Sequence, residues 1–209
     1  MTETAQRVSS WAGYAAPIVT LCAILLATLL SPSFSWTHDP LSALGETGGA
    51  VSTPTTFLLF NGGLILGGLV AFGFGYVLYR AARTLGELVG IALFGATAIA
   101  MALIGVFHLP LSPHVLVASA FYVLLSASLV TYGAGKVGAG DDRRGWVTIA
   151  LGLANLLTWV LWAWLGGLDV VRPGMAIPET VGAVILAAWS VWTANALRRR
   201  LGIVEGSQS

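Results

Sequence analysis

Long apolar runs alternate along the chain with short polar breaks. Six runs, residues 11–30, 56–79, 85–107, 115–134, 146–166 and 177–197, reach the ~20 apolar residues that a membrane-spanning helix needs. None carries a charge near its middle. The breaks after the second, third and fourth runs are short, and short links favour antiparallel neighbours. The pattern therefore predicts an all-α, polytopic membrane protein, with residues 1–209 forming one six-helix transmembrane domain. The first run reads as a retained helix, because one basic residue, Arg7, precedes it and no clear small-x-small cleavage pattern follows.

Charge orients this bundle. Arg7, Arg80, Arg83, Lys136, Arg143, Arg144, Arg198, Arg199 and Arg200 share one side of a six-span arrangement, and Arg172 falls on the other. Basic residues favour the cytoplasmic side, so both termini are expected there, in a multi-pass protein of the cell membrane. Residues 31–55, 108–114 and 167–176 then become outer loops. Trp36, Trp162 and Trp164 fall near the outer boundary and Trp11 and Trp146 near the inner one, as amphipathic rings prefer.

Composition agrees and narrows the function. With 56% hydrophobic and 9% charged residues, the chain lacks the polar surface of a soluble enzyme. A net charge of +1 gives no case for a nucleic-acid partner. One cysteine, Cys22, excludes an internal disulfide and reads as a small core residue.

Helices in lipid associate by close packing and hydrogen bonds. Gly63, Gly67, Ala71 and Gly75 recur every four residues, and Gly86 and Gly90 repeat the spacing on the third span. The second-span ridge can meet a partner helix or a second copy, although packing within the chain is the simpler reading. Asn155 and Asn195 read as interhelical glue, and Asn61 lies at a depth that lets it face an outward pocket. Glu87 follows Arg83 by four residues, so a surface ion pair accounts for it. The run Asp141-Asp142-Arg143-Arg144 reads as a solvated turn.

Polar chemistry collects on the outer side. His38, His108 and His114 fall there with Asp39, Glu46, Asp169 and Glu179. In the first outer loop, Asp39-Pro40 reads as an N-cap and first helical residue, and Gly45 as a stop. A short helix is expected between them. Asp39 either caps the N–H of Leu41 or Ser42, or points with Ser42 into a pocket beside His38. His108 and His114 flank a turn stiffened by Pro110 and Pro113. They are candidate metal ligands with His38, zinc being the metal considered, although the spacing matches no specific zinc signature. The chain has no Gly-x-Ser-x-Gly elbow, P-loop or dinucleotide fingerprint. It also has no acid or base at mid-membrane to couple transport to an ion.

The stretch His38-Asp-Pro-Leu-Ser-Ala-Leu-Gly45, Phe60-Asn61 opening a glycine-rich helix, Gly105-Val-Phe107 closing the third and His114 opening the fourth together resemble one family. This is the prokaryotic membrane-protein family catalogued as domain of unknown function 998. The resemblance covers most of the first four spans and implies six transmembrane helices without an established activity. The family pattern carries Ser-Asp-Leu-Gly where this chain has Ser42-Ala-Leu-Gly45, so an acid of that pattern is replaced here. The residues that carry the likeness, His38, Asp39, Ser42, Asn61 and His114, are also candidates for a catalytic group at an outer mouth.

Two functions follow. One is a non-catalytic membrane module that binds a partner subunit, a lipid or a small hydrophobic molecule. The other is a membrane-embedded hydrolase acting on a lipid or lipid-linked head group at the outer leaflet. In that version His114 or His108 acts as base or metal ligand, Asp39 orients it, Ser42 or water attacks, and Asn61 stabilises an oxyanion.

Overall fold

The computed structural model describes residues 11–167 and 174–200. Arg7, Asp169 and Arg172 lie outside the described residues. The six helices are α1 (Ala12–Leu30), α2 (Pro54–Ala81), α3 (Leu85–Val106), α4 (His114–Gly138), α5 (Asp142–Gly167) and α6 (Ala176–Arg200). All six are long and apolar enough to cross a membrane. The chain is thus a multi-pass membrane protein, and each expected span falls on one of these helices, Trp11 and Phe107 being the cap residues just outside two of them.

Helix ends follow from local chemistry. Thr53 and Thr56 form a reciprocal capping box ahead of α2, with Pro54 in its first turn. Thr84 caps α3 by accepting the Glu87 N–H and donates its own hydroxyl to the Gly135 carbonyl of α4. Helix α4 stops in a Schellman turn. Gly140 takes φ +77°, and the Gly140 and Asp141 N–H groups return to the Val137 and Lys136 carbonyls. Arg144 pairs with Asp141 at 3.3 Å across the following turn.

Consecutive helices pack antiparallel through small residues. Gly63 and Gly67 lie against Ala23 and Thr20 of α1, and Gly75 faces Phe94 of α3. The glycine ridge of α2 is therefore covered within the chain. Leu58, Leu66 and Leu69 on its other side stay exposed, as lipid-facing residues do. Gly86 and Gly135 bring the backbones of α3 and α4 together. Asn155 of α5 donates to the Tyr122 carbonyl and to Ser126 Oγ on α4, the expected interhelical glue. The bundle closes where Tyr14 donates to Asn195 Oδ1 at 2.6 Å and Arg198 stacks over Trp11.

Two expectations need correction. Glu87 is fully buried and belongs to no surface pair with Arg83. One carboxylate oxygen accepts the Arg83 backbone N–H, and the other lies 2.9 Å from Lys136 Nζ, itself buried. The spacing from Arg83 suggested a local partner, whereas the close α3–α4 seam supplies a partner from the next helix. Cys22 is exposed on α1 rather than placed in a core.

Between α1 and α2, residues 41–45 form a short 3-10 turn, Leu41–Gly45, buried at every position. The end of the bundle that holds this turn also carries His38, His108 and His114. The opposite end carries Arg80, Arg83, Lys136, Arg143, Arg144, Arg198 and Arg199.

Candidate functional site

The 3-10 turn is pinned from three sides. Asn61 Nδ2 donates to the Gly45 carbonyl at 3.0 Å, and Ser52 Oγ donates to the Leu44 carbonyl at 2.9 Å. From α6, Glu179 Oε2 accepts the Leu41 N–H at 2.5 Å. This last bond replaces the cap assigned to Asp39. The Asp39 carboxylate instead accepts the Ser35 N–H one turn upstream, and the Asp39 carbonyl accepts the Ala176 N–H. The chain before the 3-10 turn is thereby fastened to the start of α6, where Gly174 lies against the backbone of Trp36 to His38.

Gly45 is where Asn61 needs room. A Cβ at Gly45 would stand 2.8 Å from Asn61 Nδ2 and 2.8 Å from the Phe60 ring. Asn61→Leu removes the pin and leaves the Gly45 carbonyl without its donor. It is expected to destabilise the fold by about 1–3 kcal/mol, read from thermal melting of the purified protein.

The three histidines take separate places. His38 is exposed, and its Nδ1 lies 2.9 Å from both Ser35 Oγ and Thr37 Oγ1. His108 Nδ1 contacts the Leu109 carbonyl, and its ring meets the edge of Phe57. Thr47 N–H also reaches the Leu109 carbonyl, so His108 sits where the first loop meets the α3–α4 turn. His114 is buried, and its Nδ1 donates to the Phe107 carbonyl at 2.8 Å. Among the described residues, no three His, Cys, Asp or Glu side chains group as a metal site would require.

Beneath the 3-10 turn lies a narrow cavity of about 60 Å³. Its walls come from α1 to α4, α6 and the turn itself, and they are mainly apolar: Ile24, Phe60, Leu64, Met101, Ile104 and Leu186 are typical. On α6 the lining runs from Glu179 to Ser190, about 16 Å along a helix axis. Ser42, His114 and Glu179 line the end nearest the loops. Tyr122 follows two turns below His114 and donates to the Glu179 carbonyl at 3.4 Å.

The cavity reaches towards lipid at the α1–α6 seam. Pro17, Leu21 and Ala187 line both the cavity and an apolar groove on the bundle's outer surface. These two helices share a much sparser interface than α3 and α4 do. Pro17 carries no N–H and so leaves the Gly13 carbonyl without its helical partner in this wall.

Of the five sequence candidates for a catalytic group, Ser42 and His114 thus meet in one cavity. Asn61 and Asp39 hold loops, and His38 stands apart at the surface. Glu179 joins Ser42 and His114 although sequence reasoning placed it merely on the outer side. Its signal was an acid within the first turn of an otherwise apolar span, a costly placement that usually has a reason.

Comparison with known proteins adds a family and no activity. A family model described as "Protein of unknown function (DUF998)" matches residues 14–196. No curated protein and no solved structure matches the chain.

Proposed function

Because the chain belongs to the DUF998 family, whose description assigns no activity, we propose its function from the cavity: the protein binds a single-chain amphiphile or lipid. The head group meets Ser42, His114 and Glu179, and the apolar chain runs along the cavity, which at about 60 Å³ must widen at the sparse α1–α6 seam to admit it. The observation that carries this reading is one space with mainly apolar walls whose carboxyl and imidazole groups, Glu179 and His114, stand at one end, with the hydroxyls of Thr20, Tyr122 and Ser190 further along. Binding sites for small molecules have this makeup, with a few placed polar groups fixing orientation. The groove at Pro17, Leu21 and Ala187 supplies a path from the bilayer.

Native mass spectrometry of protein extracted in mild detergent tests this reading. A bound adduct of amphiphile mass is expected. Ala118 and Ala183 line the cavity one turn below His114 and Glu179, so Ala118→Phe and Ala183→Phe should each remove the adduct. Adducts that persist in both variants would contradict an interior site.

A hydrolytic version of this site draws on a specific feature. The Phe107 carbonyl fixes His114 through Nδ1 and leaves Nε2 as the free nitrogen, and Ser42 lines the same cavity. Release of the acyl chain from a bound ester, lost in Ser42→Ala, would favour it over simple binding.

The histidine end is proposed to face away from the cytoplasm in the cell membrane, on the strength of the basic residues at the other end. In a Cys22→Ser background, Ser112→Cys should react with an impermeant maleimide in intact cells. Asp142→Cys should react only after permeabilisation. The reverse pattern would overturn this orientation.

A further inference from the structure

We infer that the head group bound in this cavity is a primary ammonium, so that the ligand is a long-chain primary amine. This rests on the amphiphile-binding reading and specifies its chemistry.

The polar end of the cavity is a set of acceptors. Glu179 uses one carboxyl oxygen for the Leu41 N–H, and Oε1 has no other partner among the described residues. In the neutral ring, His114 Nε2 is a lone-pair acceptor, because Nδ1 carries the proton donated to Phe107. Ser42 is buried and lines the same space, and its hydroxyl has no hydrogen-bond partner among the described residues. Each of these three residues lines the cavity and keeps an acceptor that no described residue uses. A primary ammonium has three N–H donors, one for each.

Charge points the same way. Among the described residues no lysine or arginine lines the cavity, and Lys136 and the arginines of α2 to α6 lie at the opposite end. A buried carboxylate without a cation is costly, and a cationic ligand relieves it. An anionic head would meet a carboxylate in a low-dielectric space and be repelled. A trimethylated ammonium keeps the charge and loses every N–H donor, so it separates the two contributions.

The test measures binding of dodecylamine, dodecyltrimethylammonium, dodecanol and dodecanoic acid to the full chain in nanodiscs. Dodecylamine is expected to bind at least tenfold more tightly than the alcohol and the acid, with the trimethylated form between. Glu179→Gln keeps an oxygen for the Leu41 N–H but removes the charge, and should bring the amine down to the level of the alcohol. Ser42→Ala, which removes one acceptor and no charge, should narrow the gap between amine and trimethylated amine. The inference is overturned if the acid or alcohol matches the amine, or if the amine preference survives Glu179→Gln. If none of the four binds, the amphiphile-binding reading falls with it. If the alcohol and acid bind and the amine has no advantage, that reading stands and this inference alone fails.

Discussion

Lys136→Met is expected to destabilise the protein by about 3–5 kcal/mol, the usual result of removing one partner of a buried ion pair. The variant leaves Glu87 fully buried with no cation beside it. The Arg83 N–H still satisfies one carboxylate oxygen, but that bond cannot balance a charge in a low-dielectric seam. The pair itself need not stabilise much, because two charges were desolvated to form it. The double variant Lys136→Met/Glu87→Met should therefore recover most of the loss. Thermal melting of the four proteins in one detergent completes the cycle. A single variant that melts with the parent would mean that Glu87 is relieved in some other way.

Gly90→Leu should cost about 3 kcal/mol, the upper end of ordinary overpacking. A Cβ at Gly90 would stand 2.5 Å from the Tyr132 nitrogen and 2.6 Å from its Cα. Backbone cannot swing aside as a flexible side chain does, so α3 and α4 must separate. Separation weakens the neighbouring Gly86–Gly135 approach and the Lys136–Glu87 pair along the same seam. Gly62→Leu is the control, since a Cβ there meets nothing within 4 Å. The control should melt close to the parent, and equal losses in both would point to helix propensity or lipid contact rather than packing.

The spans were legible because lipid imposes a single demand on every residue of a crossing helix, and apolar length reports it directly. The α3–α4 seam was half legible: Gly86 and Gly90 marked a close approach, but their partners Gly135 and Tyr132 lie on another helix. Glu87 was misread for the same reason, since Arg83 is near in sequence and Lys136 is near in space. Asp39 misled through a local rule, because Asp-Pro ahead of an apolar turn is a good cap signal. The cap of Leu41 comes from Glu179, 138 residues away, which no local pattern encodes. Within the candidate site, Ser42 and His114 stood out by residue type. Their convergence with Glu179 depends on how the 3-10 turn docks between α2 and α6, and that is a property of the assembled bundle.

The central claim is that an amphiphile lies inside the bundle, and photo-crosslinking reads its position most directly. Dodecylamine and dodecanol, each with a diazirine at the far end of the chain, would be equilibrated with the protein in nanodiscs and irradiated. Peptide mapping should place the label on interior residues such as Leu64, Met101 and Leu186, and Ala183→Phe should abolish it. Label confined to the lipid-facing residues Leu58, Leu66 and Val123, and unchanged by Ala183→Phe, would contradict the account.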